Sequence, residues 1–317
     1  MNGKLSGAAA LAITAAATFT SVPAEAAPHS PARIEAHFDF ASGQTPENAA
    51  LEPDGGLDVT FSLSRQIARI GTDGTTRILA TMPQPADGGV NTPALHFPAT
   101  MGIVRDTDGT LYFLYATGSA DLTGVWQLRP GGTPERIAAL PANGLPNGMA
   151  LDQDQHVLYI ADAVLGTVWT VPTAGGPATA WTSGPALRFS AIAGANGVKI
   201  HNNALWVSNS DAGTLVRIPF GPGHRAGRAE IRATGLTTID DFAFTGSGDE
   251  ILAALNHPNQ IVRIRRDGTH TTVLSGSDGL QNPTAIEVRR GKVYVLDAAY
   301  VTQTDPNLLT APLRDLC

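Results

Sequence analysis

A short unit recurs six times along this chain and limits its possible folds more than any other feature. Its clearest copy is LPNGMALDQDQHVLYIADAVLGTVWTV, Leu145 to Val171. A polar residue opens a strand whose apolar positions alternate with small or polar ones, as at Met149 and Leu151. A loop follows, then a β-rich run ending in Ala161-Asp162, a Gly turn and a third strand. The other copies begin at Pro46, Ala99, Ala195, Ile239 and Pro283. Asp108-Gly109, Asn202-Asn203 and Gly246-Ser247-Gly248 supply turn chemistry where hairpins need it.

The opening residues Glu47, Thr100, Asn147, Asn196, Asp240 and Thr284 lie 53, 47, 49, 44 and 44 residues apart. Four-stranded propeller blades repeat at about 40 to 50 residues. The spacing predicts an all-β fold: a six-bladed β-propeller of four-stranded blades around a central channel. A β-sandwich with chance repeats is the alternative. The sixth unit is short of an outer strand, and Arg33 to Phe38, ahead of the first unit, can supply it and close the ring. The stretches Met82 to Pro98 and Thr182 to Gly194 are longer and rich in Pro, Gly and Ala, which suits loops over a pocket on one face.

The first residues stand outside this pattern. Lys4, an apolar run from Leu5 to about Phe19 and Ala24-Glu25-Ala26 have the form of a signal peptide over 1–26, with cleavage near Ala26 and secretion. The alternative, an uncleaved anchor, is opposed by the shortness of the run, because a span needs about 20 apolar residues. Residues 27–317 are then one propeller domain. The chain carries a net charge of −7 with both signs evenly mixed, which argues against nucleic acid or an anionic membrane as partner and leaves a small-molecule substrate. The only cysteine is Cys317, so no internal disulfide can form and stability must come from the core. Oligomeric state leaves no mark in the sequence.

Because the six opening residues begin the innermost strands, they are expected to converge on the axis. Glu47, Asn147, Asn196 and Asp240 bring two carboxylates and two amide oxygens, a donor set suited to a hard divalent cation such as calcium. Two carboxylates in one confined channel call for a cation or a raised pKa. Each residue also has an ordinary use: Asn147-Gly148 and Asn196-Gly197 are common turn dipeptides, and Asp240 can cap a turn. Asp241 is a neighbouring candidate that alternation turns away. Thr100 and Thr284 complete the ring as substrate-binding positions, with His96 reaching from a loop and Asn209 near a second strand's end. His257, in Leu255-Asn256-His257-Pro258, is a candidate catalytic base or a turn histidine before proline, and Asp240, a carboxylate at the metal, is the other candidate to activate water. Asp162 is expected to tie adjacent strands together.

With these residues in view, the chain resembles the calcium-dependent six-bladed propeller superfamily: gluconolactonase and senescence marker protein, paraoxonase, diisopropyl-fluorophosphatase and strictosidine synthase-like proteins. The resemblance covers essentially residues 27–317. It implies one calcium on the axis, held at the places of Glu47, Asn147, Asn196 and Asp240, and a histidine near the metal pocket at the place of His257. Within that group, NGMALDQDQHVLYIADAVLGTVW, GANGVKIHNNALWVSNSDAGTLVRIPF and DDFAF followed by NHPNQIVRI look closest to hetero-Diels–Alderase-like propeller cyclases. Thr100-Met101 departs from the His or Asn of blade two in paraoxonases and gluconolactonases. Asn196 stands where gluconolactonases have Asp, which puts strict sugar lactonase activity in doubt. A late catalytic Glu, as in strictosidine synthases, finds no match.

Three functions compete on this reading. One is a secreted calcium-dependent hydrolase of a lactone or ester, in which the cation polarises the carbonyl. Another is a metal-independent secondary-metabolite cyclase that works by orientation. A third is a non-catalytic, NHL-like binding propeller, suggested by the run Ile67 to Gly74 and its echo at Ile261 to Gly268.

Overall fold

The computed structural model describes residues 32–317, which form six four-stranded antiparallel sheets. The signal peptide expected over 1–26 lies outside the described residues. In the first five blades the chain runs outward strand by strand, from inner strands Pro46–Leu51, Ala99–Arg105, Pro146–Asp152, Ala195–His201 and Ile239–Phe244. The sixth blade has the inner strand Pro283–Arg289, then Lys292–Asp297 and Asn307–Pro312. Its outermost strand is Arg33–His37, paired antiparallel with Asn307–Pro312 in the register Arg33↔Thr310 and His37↔Asn307. The ring is therefore closed by the beginning of the described chain, as the sequence suggested. Among the described residues no helix is long and apolar enough to cross a membrane.

Alternation dictates the packing. Side chains on the two faces of each blade meet those of the neighbouring blades, and the buried apolar residues fall into six clusters, one per blade interface. Phe38 meets Phe61 edge-on at 5.0 Å where the ring closes. Between blades three and four, Tyr159, Trp181 and Phe220 pack edge-on or tilted against one another at 5.3 to 5.5 Å. Full burial of a side chain such as Phe61 contributes about 1.5 to 3 kcal/mol. The contact repeats around the ring, so the fold needs no disulfide, and Cys317 is a free, exposed thiol.

Every inner strand breaks register once near its start. Pro146 pairs Asp162, but Met149 already pairs Ile160, and the same step follows Ala195, Ile239, Pro46, Pro283 and Thr100. Such a bulge re-aims the side chains beside it. It also explains Asn147-Gly148 and Asn196-Gly197, which lie in strands and not in turns. A Cβ on Gly148 would sit 2.2 Å from Asn196 O, so the inner strands of adjacent blades touch where only glycine fits.

Candidate functional site at one mouth of the channel

The bulges place a polar floor beneath a cup of about 470 Å³. Glu47, Asn147, Asn196 and Asp240 all line it, so the structure brings the sequence-derived set together. The first three are only 6 to 8% exposed. One side of the wall is apolar: Leu95, Phe97, Ala99, Met101, Leu145, Ile192 and Ala193. The other side carries Thr238, Asn256, His257, Tyr300 and Gln303. Both long loops contribute, through Leu95 and Phe97 and through Ile192 and Ala193. Asp211 fixes the second of these loops by accepting four successive backbone N–H groups, Ser190 to Ala193, at 2.7 to 3.1 Å.

The floor is electrostatically unbalanced. Burial pushes the Glu47 carboxyl up to about 7; the Tyr300 hydrogen bond opposes the rise and the Asp241 charge adds to it. Burial also raises Asp240 well above the usual carboxylate range, helped by Glu47 and Asp241 and opposed by a bond from Asn196. The Asn196 nitrogen is engaged with Ser210 Oγ (2.9 Å) and with Asp240, which leaves its Oδ1 uncommitted. Asn147, though buried, makes no side-chain hydrogen bond among the described residues. Two crowded carboxylates beside two buried amides with open oxygens are a donor set that a hard cation satisfies, so these residues fit calcium. Among the described residues no three His, Cys, Asp or Glu side chains form a metal-ligating group, because half of this set is amide.

Directly below the floor the channel is bridged. Lys199 Nζ, from blade four, lies 2.9 Å from Asp241 Oδ2 of blade five and 2.8 Å from Glu287 Oε1 of blade six. Asn48 Nδ2 of blade one reaches the same Asp241 oxygen at 3.4 Å. Burial works against the Lys199 charge, but its two carboxylate partners more than offset this and hold the ammonium above its ordinary range. Beyond the bridge, a second cavity of about 420 Å³ opens at the other mouth. The bulge, which interrupts strict alternation, thus gives Asp240 to the cup and Asp241 to the bridge.

Several expected site residues are elsewhere. In blade two the axial position belongs to Met101, not Thr100. Thr60 Oγ1 donates to Met101 O (2.7 Å) just as Ser208 Oγ donates to Asp240 O (2.5 Å), so Met101 is the counterpart of Asp240. Thr100 is fully buried and donates to Phe61 O (3.0 Å). Thr284 is equally buried and donates to Pro46 O (2.8 Å), joining the sixth blade to the first. Asn209 does not line the cup; its amide donates to Ala186 O and Arg188 O (3.0 and 3.2 Å) and braces the loop above. His96 is exposed on a left-handed backbone (φ 62°) with its ring 3.2 Å from Val90 O, outside the cup. His257 does line the wall, its N–H donating to Thr238 Oγ1 (3.0 Å). Asp162 is structural as expected: one oxygen accepts the N–H groups of Leu145, Val164 and Leu165 at 2.9 to 3.1 Å. Sequence reading missed Met101, Lys199, Glu287 and Tyr300.

No family model matches the chain and no curated protein matches it. Solved structures do. The calcium-binding protein regucalcin from Agrobacterium tumefaciens superposes with a TM-score of 0.65 at 14% identity, over 88% of this chain and 93% of that one. A putative gluconolactonase gives 0.63 at 15% identity, over 89% and 91%. The PQQ-bound aldose sugar dehydrogenase of Streptomyces coelicolor gives 0.62 at 14%, over 90% and 99%. At such identities the likeness is one of fold, and the chain has the propeller architecture that regucalcin and gluconolactonase share with enzymes of other chemistry.

Proposed function

We propose that this propeller is a calcium-dependent hydrolase of lactones or esters. The observation that carries the reading is the meeting of Glu47, Asp240, Asn147 and Asn196 at the floor of an otherwise half-apolar cup. Glu47, Asp240 and the two amide oxygens would hold the cation, which when bound would polarise an ester carbonyl and stabilise developing negative charge. The apolar wall excludes water from the acyl or aryl side of a substrate. His257, on the polar wall, is placed to take a proton from an attacking water, and its ring has no hydrogen-bond partner among the described residues. Met101 on the floor and the apolar Leu95, Phe97 and Ala99 of the wall disfavour a polyhydroxylated sugar lactone, whose hydroxyls would lose their partners there.

The test is a panel of lactones and aryl esters with and without chelator. Turnover that needs calcium, and is lost in the double variant Asn147→Ala, Asn196→Ala, supports the reading; full activity in that variant sinks it. One observation favours a second reading, the metal-independent cyclase. Burial raises both the Asp240 and the Glu47 carboxyls, so without a cation the floor carries less charge beneath an apolar wall able to orient a reactive polyene. Calcium content of the native protein separates the two. In either case the partner is a small molecule. We also infer export through residues 1–26, which N-terminal sequencing of the mature protein checks.

A further inference from the structure

The link between the second and third strands is short in four blades, at residues 62–65, 163–166, 210–213 and 256–259. In the sixth blade it spans 298–306, and it reaches back over the cup. Asn282 holds it down. Its Oδ1 accepts the N–H groups of Val301 (2.9 Å) and Thr302 (3.0 Å), while its own carbonyl accepts Ala298 N–H (3.2 Å). Asn282 is itself only 2% exposed, with its N–H on Asn259 Oδ1 (2.7 Å), so the clamp is built into the blade. What the clamp delivers is Tyr300. Its phenol O–H donates to Glu47 Oε2 at 2.6 Å, and Ser62 Oγ bonds the same phenol from the far side.

We propose that Tyr300 is a positioning residue of the axial site, its phenol committing one oxygen of Glu47 so that the other is presented, in a fixed direction, to a divalent cation. A freely rotating Glu47 would lose side-chain entropy on binding; one already tethered loses less. Such outer partners of metal ligands typically set affinity by about 10- to 100-fold. The assignment rests on the cation reading above but adds a residue from a different blade and a different chemical type.

The experiment titrates calcium chloride into the purified full chain by calorimetry, using wild type, Tyr300→Phe and Ser62→Ala, with each variant's unfolding midpoint measured in chelator. Tyr300→Phe keeps the ring and loses only the donor. It is expected to bind calcium about 10- to 100-fold more weakly with an unchanged chelator-state midpoint. Ser62→Ala keeps the Tyr300–Glu47 bond and should stay near wild type. Tyr300→Phe binding as tightly as wild type overturns the assignment while leaving the axial cation intact. Weaker binding with a large fall in the chelator-state midpoint makes Tyr300 structural and overturns it too. Wild-type protein that binds no divalent cation overturns the cation reading itself, a distinct result.

Discussion

Two levels of the channel each pair a buried carboxylate with a half-buried one, and they resolve the charge in opposite ways. At the bridge, Asp241 and Glu287 enclose the ammonium of Lys199. At the floor just above, Glu47 and Asp240 have no cationic side chain paired with them among the described residues, only Tyr300, Asn147 and Asn196. A buried pair with its own counter-ion is a finished structural unit. A buried pair without one must take up protons or recruit a cation, and perturbed carboxylates of that kind mark functional sites more often than structural ones. The contrast marks one stretch of channel as a plug and the adjoining one as the candidate site.

The largest effect should come from removing the counter-ion. Lys199→Met leaves Asp241 and Glu287 uncompensated and is expected to cost about 3 to 5 kcal/mol in urea unfolding. If it still folds, it should bind calcium at the floor more tightly, because a positive charge beneath the site is gone. An unchanged stability would erase the distinction between the levels. Next, calcium at about 100 times its Kd should stabilise wild type by about 2.7 kcal/mol, and Glu47→Gln should abolish that increment.

Asp297 offers a control, a buried carboxylate belonging to neither level. It accepts Gln281 N–H (2.8 Å), its Oδ2 has no hydrogen-bond partner, and burial pushes its pKa up to about 8. With the unfolded value near 3.8, the unfolded chain loses this proton first, so the group makes stability fall as pH rises from about 4 to about 8. The slope is about 1.4 kcal/mol per pH unit for one proton. Asp297→Asn, the residue type blade four already carries at Asn209, should remove that slope in unfolding curves taken across the interval. The smallest change should be Met101→Asn, which adds an amide oxygen to the empty sector of the floor. A few-fold gain in calcium affinity by calorimetry is expected, and a loss would place Met101 in substrate contact only.

The architecture was legible because a repeat reports itself: six copies of one strand grammar at blade spacing leave few alternatives. The four floor residues followed from register. The slip at Thr100 has a definite cause: every inner strand carries the same bulge, but in blade two the axial residue is the apolar Met101, which reads as a core position and hands the polar place to Thr100 before it. Lys199, Asp241 and Glu287 come together only across the axis, from three blades, so no local pattern joins them. A trace was present nonetheless: Lys199 and Glu287 stand mid-strand where other blades carry Ala50, Ala150 and Ala243. Tyr300 also left a trace, in the unusual length of its link. His96 and Asn209 misled because nearness in sequence does not say which way a side chain turns.

The pairing of Arg33–His37 with Asn307–Pro312 also bears on how the molecule comes into being. The two halves of one sheet lie at opposite ends of the described chain, so the ring is among the last things to form, and contacts of such range are slow to make. Until Asn307–Pro312 is available, blades one to five can stack only as an open arc. The sixth blade, which stands between the floor carboxylates of blades one and five, is then still incomplete. The floor, drawn from blades one, three, four and five, is therefore expected to take its final shape only as the ring closes.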